Sequence, residues 1–379
     1  RTEAERDPSK LAGFHNLKLG LPFAGERQEQ DSEEVAKLAE PGVHKGRVPR
    51  DGLVLTAGVD FQHDRAEIQI IATGRGQRRW VVDYEVIGLD PTILDTFAPL
   101  TEYLSGTWKT VAGVDMPITA AALDGGNWTE TVAQYVKSLV SQSGHARILQ
   151  MQGGMFRQTI YLIRGRSERK SDRAVYRPAK TEVNQRDKTV ARSVGVWGVG
   201  TSVLKTMIYG WLTAALTARE KAREEGQAED IAMRMLRFPG GRGEEVVDPL
   251  NPDPGAMGAA YYKGLTVEYY DKESGCWIKP KGARNEPLDT AEYAIWASLA
   301  PAVKADVMRE SQWEALERQY QPKALGLFDA PMDSRETAGS DDVLSGDQLR
   351  ATSTTGAAVA DSRGTRKPAR RRGGGREPD

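Results

Sequence analysis

An α/β fold built on one mixed sheet with helices on its faces is predicted by three observations. Strand-length runs come first, at residues 53–59, 65–73 and 79–87, joined by the turn-like connectors His63-Asp64 and Gly74-Arg75-Gly76-Gln77. Segments of helical period then alternate with further strand-like runs. Finally, two strand-like runs end in an aspartate, in Gly58-Val59-Asp60-Phe61 and Leu123-Asp124-Gly125-Gly126, and a third aspartate, Asp289, opens a helical segment over residues 288–300.

Taken in order, residues 1–50 are polar, with an apolar patch at Phe14, Leu17, Leu19, Leu21 and Phe23, and read as a connector. Residues 53–59 are continuously apolar enough for a buried strand. Residues 65–73 alternate, with Ala66, Ile68, Ile70 and Ala72 on one face and Arg65, Glu67 and Gln69 on the other. Residues 79–87 alternate again, which groups Trp80, Val82, Tyr84 and Val86. These give three antiparallel strands. From Pro91, the spacing of Ile93, Phe97, Leu100 and Leu104 predicts a helix. A fourth strand at 118–123, a helix at 128–140 and a fifth strand at 148–151 follow. Across 153–250 the expectations are short strands near 174–176 and 189–196, a helix over 202–224 and a strand at 231–238. A hairpin is expected from 265–270 and 276–279. Leu288, Ala291, Ile295 and Leu299 form the stripe of a helix, and a polar helix spans 303–320. The predicted organisation is a connector at 1–50, a catalytic domain at 51–302, a helix within 303–325, and a disordered tail at 326–379, basic at its end.

Composition narrows the class. Of 379 residues, 39% are hydrophobic and 28% charged, as in globular proteins, and no run approaches the ~20 apolar residues of a membrane span. The single cysteine, Cys276, excludes an internal disulfide and a multi-cysteine zinc site, and points to a reducing, cytosolic setting. The chain starts at Arg1 without an initiator Met, which reads as a piece of a longer one. Net charge is only −1, but Arg164, Arg166, Arg169, Lys170, Arg173, Arg177 and Lys180 cluster, as do the arginines at 363–376. The first cluster is a candidate DNA-backbone contact; its alternative is a solvated loop.

The three aspartates are the candidate catalytic residues and metal ligands. Phosphodiester hydrolysis at neutral pH benefits from two divalent cations about 4 Å apart, and Mg²⁺ or Mn²⁺ prefers carboxylate oxygens. Two strand-end aspartates plus one on a late helix are what a two-metal nuclease of ribonuclease-H-like fold requires. Each alone has a plainer reading: a strand-end turn for Asp60, an Asp-Gly turn for Asp124, a helix amino-terminal acid for Asp289. His63, Glu268, Glu286 and Glu292 are possible supporting residues, with Glu286 and Glu292 favoured as surface acids and His63 as a turn residue. Other chemistries lack their parts. The glycine-rich run at 195–202 has no lysine where a phosphate loop needs one, there is no His-x-x-x-His pair, and no Gly-x-Ser-x-Gly elbow occurs.

Five motifs occur in an order that resembles the large terminase subunit of lambda-like tailed phages. They are Phe14-His15-Asn16-Leu17-Lys18-Leu19-Gly20-Leu21-Pro22, Gly58-Val59-Asp60-Phe61-Gln62, Trp80-Val81-Val82-Asp83-Tyr84, Leu123-Asp124-Gly125-Gly126 and Asn285-Glu286-Pro287-Leu288-Asp289. Leu265-Thr266-Val267-Glu268 followed by Trp277 is also similar. The likeness runs over about residues 10–300 and covers that family's linker and carboxy-terminal nuclease, not its packaging ATPase, in keeping with the missing phosphate loop. It implies metal-dependent cutting of concatemeric viral DNA during packaging in the host cytoplasm, with Asp60, Asp124 and Asp289 as ligands. It also implies double-stranded DNA, the small terminase subunit and, through the tail at 333–379, the portal as partners; DNA is the alternative partner for the tail's basic end. Residues 153–250 match least. The rival readings are a non-catalytic packaging module that grips DNA or docks on the portal, and another ribonuclease-H-like enzyme such as a resolvase or integrase.

Overall fold

The computed structural model describes residues 30–139, 146–151, 154–166, 172–178, 182–183, 189–190, 194–242 and 255–322, all within one compact unit. At its centre, β3 (Val54–Phe61), β4 (Arg65–Thr73) and β5 (Arg79–Gly88) form an antiparallel meander, as the alternation predicts. On the other side of β3 lie β7 (Asp115–Asp124) and then β9 (Gly154–Gly165), both parallel to it. Two-sided burial explains the sequence of β3: all eight residues are buried, so apart from Thr56 and Asp60 the run is apolar rather than alternating.

Shorter strands extend this sheet. β1 (Ala39–Glu40) pairs with β14 (Leu236–Pro239), which pairs with β5. β2 (Arg47–Val48) pairs with β6 (Thr107–Thr110), itself paired with β7. β8 (Ala146–Met151) forms a hairpin with β9, while β13 (Val196–Val199) and β10 (Val175–Tyr176) continue outward. Two pairs stand apart: β11 (Glu182–Val183) with β12 (Thr189–Val190), and β15 (Tyr269–Asp271) with β16 (Cys276–Ile278).

Helices cover both faces. α1 (Ser32–Ala36), α4 (Thr201–Glu224), α5 (Ala259–Leu265) and α6 (Glu286–Leu299) pack in one core with Ile71, Val81, Ala122 and Ile163. On the opposite face α2 (Ala98–Ser105) and α3 (Thr129–Leu139) pack with Val59, Ile68, Ile70 and Leu123. α7 (Glu310–Tyr320) closes the described chain. No helix among the described residues is long and apolar enough to cross a membrane.

Several expectations change. Trp80 and Val82 share a core with Ala66 to Ala72, but Tyr84 and Val86 do not. The β4–β5 register shifts between Ile70 and Ile71, Val82 is the extra residue, and the bulge reverses the alternation beyond it. Tyr84 therefore faces Tyr261 on the α6 side, and Val86 is exposed. The predicted fifth strand, β8, is only the hairpin partner of β9, which the sequence reading missed. The helix expected from Pro91 is a 3-10 turn at Leu94–Phe97 continued by α2, and Ile93 is exposed. The run at 231–238 splits into a 3-10 turn, Ile231–Met233, and β14. Leu265 ends helix α5 instead of opening a strand. β13 extends to Val199, beyond the strand expected over 189–196, and the helix at 303–320 shrinks to α7 because Lys304 takes φ 53° ahead of a 3-10 turn. Residues 31–48, read as connector, supply α1, β1 and β2 to the folded unit. The motif at 14–22 and the tail from 326 lie outside the described residues.

Contact between β3 and α6 is what positions the site. Thr56 Oγ1 donates to the Ala294 carbonyl at 2.8 Å. A Cβ on Gly58 would lie 2.1 Å from the Thr290 carbonyl oxygen and 2.5 Å from the Ala294 nitrogen, both backbone atoms that cannot swing aside. Gly58→Ala is expected to force the helix off the strand, costing about 3 kcal/mol of stability or more. Urea unfolding checks this; an unchanged midpoint would mean that the two backbones are not in such close contact.

Candidate metal and nuclease centre

Asp60 and Asp124 stand at the carboxyl ends of the adjacent parallel strands β3 and β7, where the register pairs Val59 with Leu123. Asp289 sits in the first turn of α6, which crosses the same face. Alternation along both strands sends the apolar neighbours Val59, Phe61 and Leu123 to the opposite core and turns the two aspartates towards α6. All three predicted ligands are thus brought into one neighbourhood.

Each is oriented by its surroundings. Gln62 Nε2 donates to Asp60 Oδ2 at 2.7 Å. The Gly126 amide donates to Asp124 Oδ1 at 3.2 Å, and Tyr293 Oη, one helical turn after Asp289, donates to Asp124 Oδ2 at 3.3 Å. Burial is the main cause of the raised carboxyl pKa values. Asp60 is held well above the usual range by burial and then by the charges of Asp289 and Asp124. Burial lifts Asp124 to about 6, opposed by its hydrogen bonds from Gly126 and Tyr293 and by Arg164. It lifts Asp289 to about 7, with Lys205 opposing the rise.

Raised carboxyl pKa values have a consequence for stability. Below the ordinary value of 3.8, folded and unfolded chains are both protonated. As pH rises towards 7, the unfolded chain loses protons that the folded one keeps, so stability falls. Without added metal, the unfolding free energy is expected to drop by a few kcal/mol between about pH 5 and pH 8. Denaturant unfolding across this range measures it, and a flat or rising profile would contradict the burial that raises these carboxyls.

The donors are carboxylate oxygens throughout, the hard set that suits Mg²⁺ or Mn²⁺. Among the described residues, no Lys or Arg is ion-paired with these three aspartates. Nor, among those residues, does any group of three or more His, Cys, Asp or Glu side chains form a cage ready to hold a metal as it stands. The donor chemistry fits a divalent cation, while the cage is not drawn in.

Acids expected at the surface are buried. Glu286 is 5% exposed and meets Arg65 at 3.2 Å; Glu292 is 0% exposed and lies 3.9 Å from Lys205. Glu268, also buried, accepts from Lys205 Nζ at 2.7 and 2.9 Å and from Asn285 Nδ2 at 2.7 Å. It serves the site through Lys205 rather than by touching the aspartates. His63 is exposed and stacks edge-on against Trp128 at 5.4 Å, which joins the loops after β3 and β7. Of the basic cluster, Arg164 and Arg166 are exposed at the end of β9, next to Asp124, and Arg173 and Arg177 are exposed beside β10. Arg169, Lys170 and Lys180 lie outside the described residues.

Sequence reasoning missed Lys205, Tyr293, Asn285 and Gln62. Lys205 left a trace: it interrupts the apolar stripe of Leu204, Ile208, Tyr209 and Leu212 on α4, and a buried cation needs an acidic partner.

The family model described as terminase large subunit gpA, endonuclease domain, matches residues 1–313. The large terminase subunit of Escherichia phage lambda is 28% identical over 148 residues, which are 39% of this chain and 22% of that protein. The chain therefore spans about a fifth of that relative's length. No solved structure matches it. With residues 1–313 covered, and Asp60, Asp124 and Asp289 gathered at one end of the sheet, the chain belongs to the family of terminase large subunit gpA endonuclease domains.

Proposed function

We propose that this chain is a metal-dependent DNA endonuclease of ribonuclease-H-like fold that cuts concatemeric viral DNA during genome packaging. The observation that carries the reading is the convergence of three aspartates, Asp60 buried and Asp124 and Asp289 half-buried, from two parallel strand ends and one crossing helix, with no basic residue ion-paired to them among the described residues. Asp60, Asp124 and Asp289 would hold two Mg²⁺ or Mn²⁺ ions. Bound there, such ions would activate a water and stabilise the leaving oxygen of a phosphodiester.

The chain's own groups prepare that chemistry. Gln62 and Tyr293 fix the rotamers of Asp60 and Asp124. Lys205 tempers the negative potential around Asp289. Arg164, exposed at the end of β9, lies where a scissile strand's backbone would approach. Double-stranded DNA is the proposed substrate, and the portal and small terminase subunit are the proposed assembly partners.

The cage that is not drawn in favours a second reading, a DNA-gripping module without chemistry. Incubating supercoiled plasmid with the chain and Mn²⁺, Mg²⁺ or EDTA separates the two. Nicking or linearisation with metal, absent in EDTA, is the expected result. Intact plasmid throughout, with DNA still bound, would favour the gripping module.

A further inference from the structure

At the outer edge of the sheet, four cations and two rings wall a cavity of about 330 Å³: Arg166, Arg173, Arg177, Lys304, Tyr176 and Trp197. Among the described residues no carboxylate lines it, although Asp172 at the rim accepts from Tyr176 Oη at 2.8 Å. Among the described residues, Arg173 alone of the four cations is ion-paired, with Asp172 at the exposed rim at 3.3 Å. The guanidinium of Arg166 lies 4.5 Å above the Tyr176 ring and that of Arg173 lies 5.6 Å from it. Gly198 makes room for this stack, because a Cβ there would sit 2.8 Å from Arg166 Nε and 2.9 Å from Tyr176 Cβ.

Register places the cavity relative to the aspartates. Tyr176 pairs with Gly198, Gly198 with Arg164, and Ile163, the residue before Arg164, with Asp124. The cavity therefore lies on the sheet row of Asp124, three strands away. At about 4.8 Å per strand this is roughly 14 Å, about the straight-line distance between phosphates two nucleotides apart on one strand of a duplex, where neighbouring phosphates lie about 7 Å apart.

We propose that this pocket seats a backbone phosphate of the DNA strand, roughly two nucleotides from the phosphate presented to the aspartates. The proposal rests on the endonuclease reading for the position of the scissile phosphate. Guanidiniums stacked on an aromatic ring lose little further freedom and present N–H edges in the fork geometry that matches phosphate oxygens. Among the described residues the pocket has no amide or carboxylate side chain to read base edges, so it positions DNA without selecting sequence.

The test is binding of a fluorescent duplex to the full chain in EDTA, followed by anisotropy over a range of salt. Because it requires no cleavage, it stays readable if the endonuclease reading fails. Arg173 and Arg177 are both exposed, so Arg173→Ala with Arg177→Ala should leave the fold intact. This pair is expected to weaken binding by about tenfold or more and to lower the salt slope by about 1 to 2. Lys221→Ala with Arg223→Ala, exposed near the end of α4, removes the same charge away from the pocket and is expected to change neither. Equal weakening by both pairs, or none by the pocket pair, would overturn the proposal. So would competition by ATP that the pocket substitutions abolish, since that would assign the site to free nucleotides.

Discussion

Asp60→Asn is expected to lower metal-dependent plasmid cleavage by about 10³-fold or more while leaving the fold intact. The loss follows from removing one oxygen donor from a site whose ions would supply several kcal/mol of transition-state stabilisation, about 4 kcal/mol being a thousandfold. The fold should survive because Asn keeps the shape and its amide remains within reach of Gln62. Stability near pH 8 should even rise, since burial and the charges of Asp289 and Asp124 oppose an ionised Asp60. Cleavage rate and the urea midpoint are the two readouts. Cleavage that persists in a folded Asp60→Asn chain would remove this residue from the centre. Lost cleavage with an unfolded chain would show that Asp60 is structural.

Lys205→Met carries the largest expected loss of stability. Lys205 is 7% exposed and forms two short contacts with Glu268, itself 2% exposed, so removing the cation strands a buried carboxylate. Breaking one side of such a pair costs about 3–5 kcal/mol, whereas replacing both sides by neutral groups costs far less. Adding Glu268→Gln to Lys205→Met is therefore expected to recover most of the loss in urea unfolding. A mild single substitution, or a double no more stable than the single, would mean that the Lys205–Glu268 pair does not organise this region.

Much of this architecture is legible in residue order, for physical reasons. A strand buried on both faces is continuously apolar, so β3 announces itself, and its terminal aspartate is conspicuous because an ionised group there is costly. The three candidate ligand positions follow from elements with strong periodicity. What stays hidden depends on tertiary contact. A bulge at Val82 leaves no compositional mark, so the stripe through Tyr84 and Val86 looks continuous when it is broken. Glu286 and Glu292 look like surface acids because most helices have a solvent face. α6 is buried on nearly every side, and Arg65 and Lys205 from distant segments make these acids tolerable. β9 was missed because Arg157 and Gln158 interrupt its apolar run; Gln158 is buried, with its Nε2 donating to the Leu104 carbonyl at 2.9 Å.

The basic cluster divides in the same way. Sequence placed it in one stretch, but strand order separates Arg164, on β9 one residue beyond the partner of Asp124, from Arg173 and Arg177, which flank β10 two strands further out and wall the outer pocket with Lys304 from beyond α6. Lys304 is more than a hundred residues away in the chain, so no local pattern could have grouped it with them.

The central claim is that Asp60, Asp124 and Asp289 share divalent cations. Anomalous scattering from crystals of this chain soaked in Mn²⁺ tests it directly. Peaks bounded by these three carboxylates are expected in the unsubstituted chain, lost or weakened in Asp60→Asn. Ordered Mn²⁺ elsewhere, with no peak among the three in a well-ordered crystal, would contradict it.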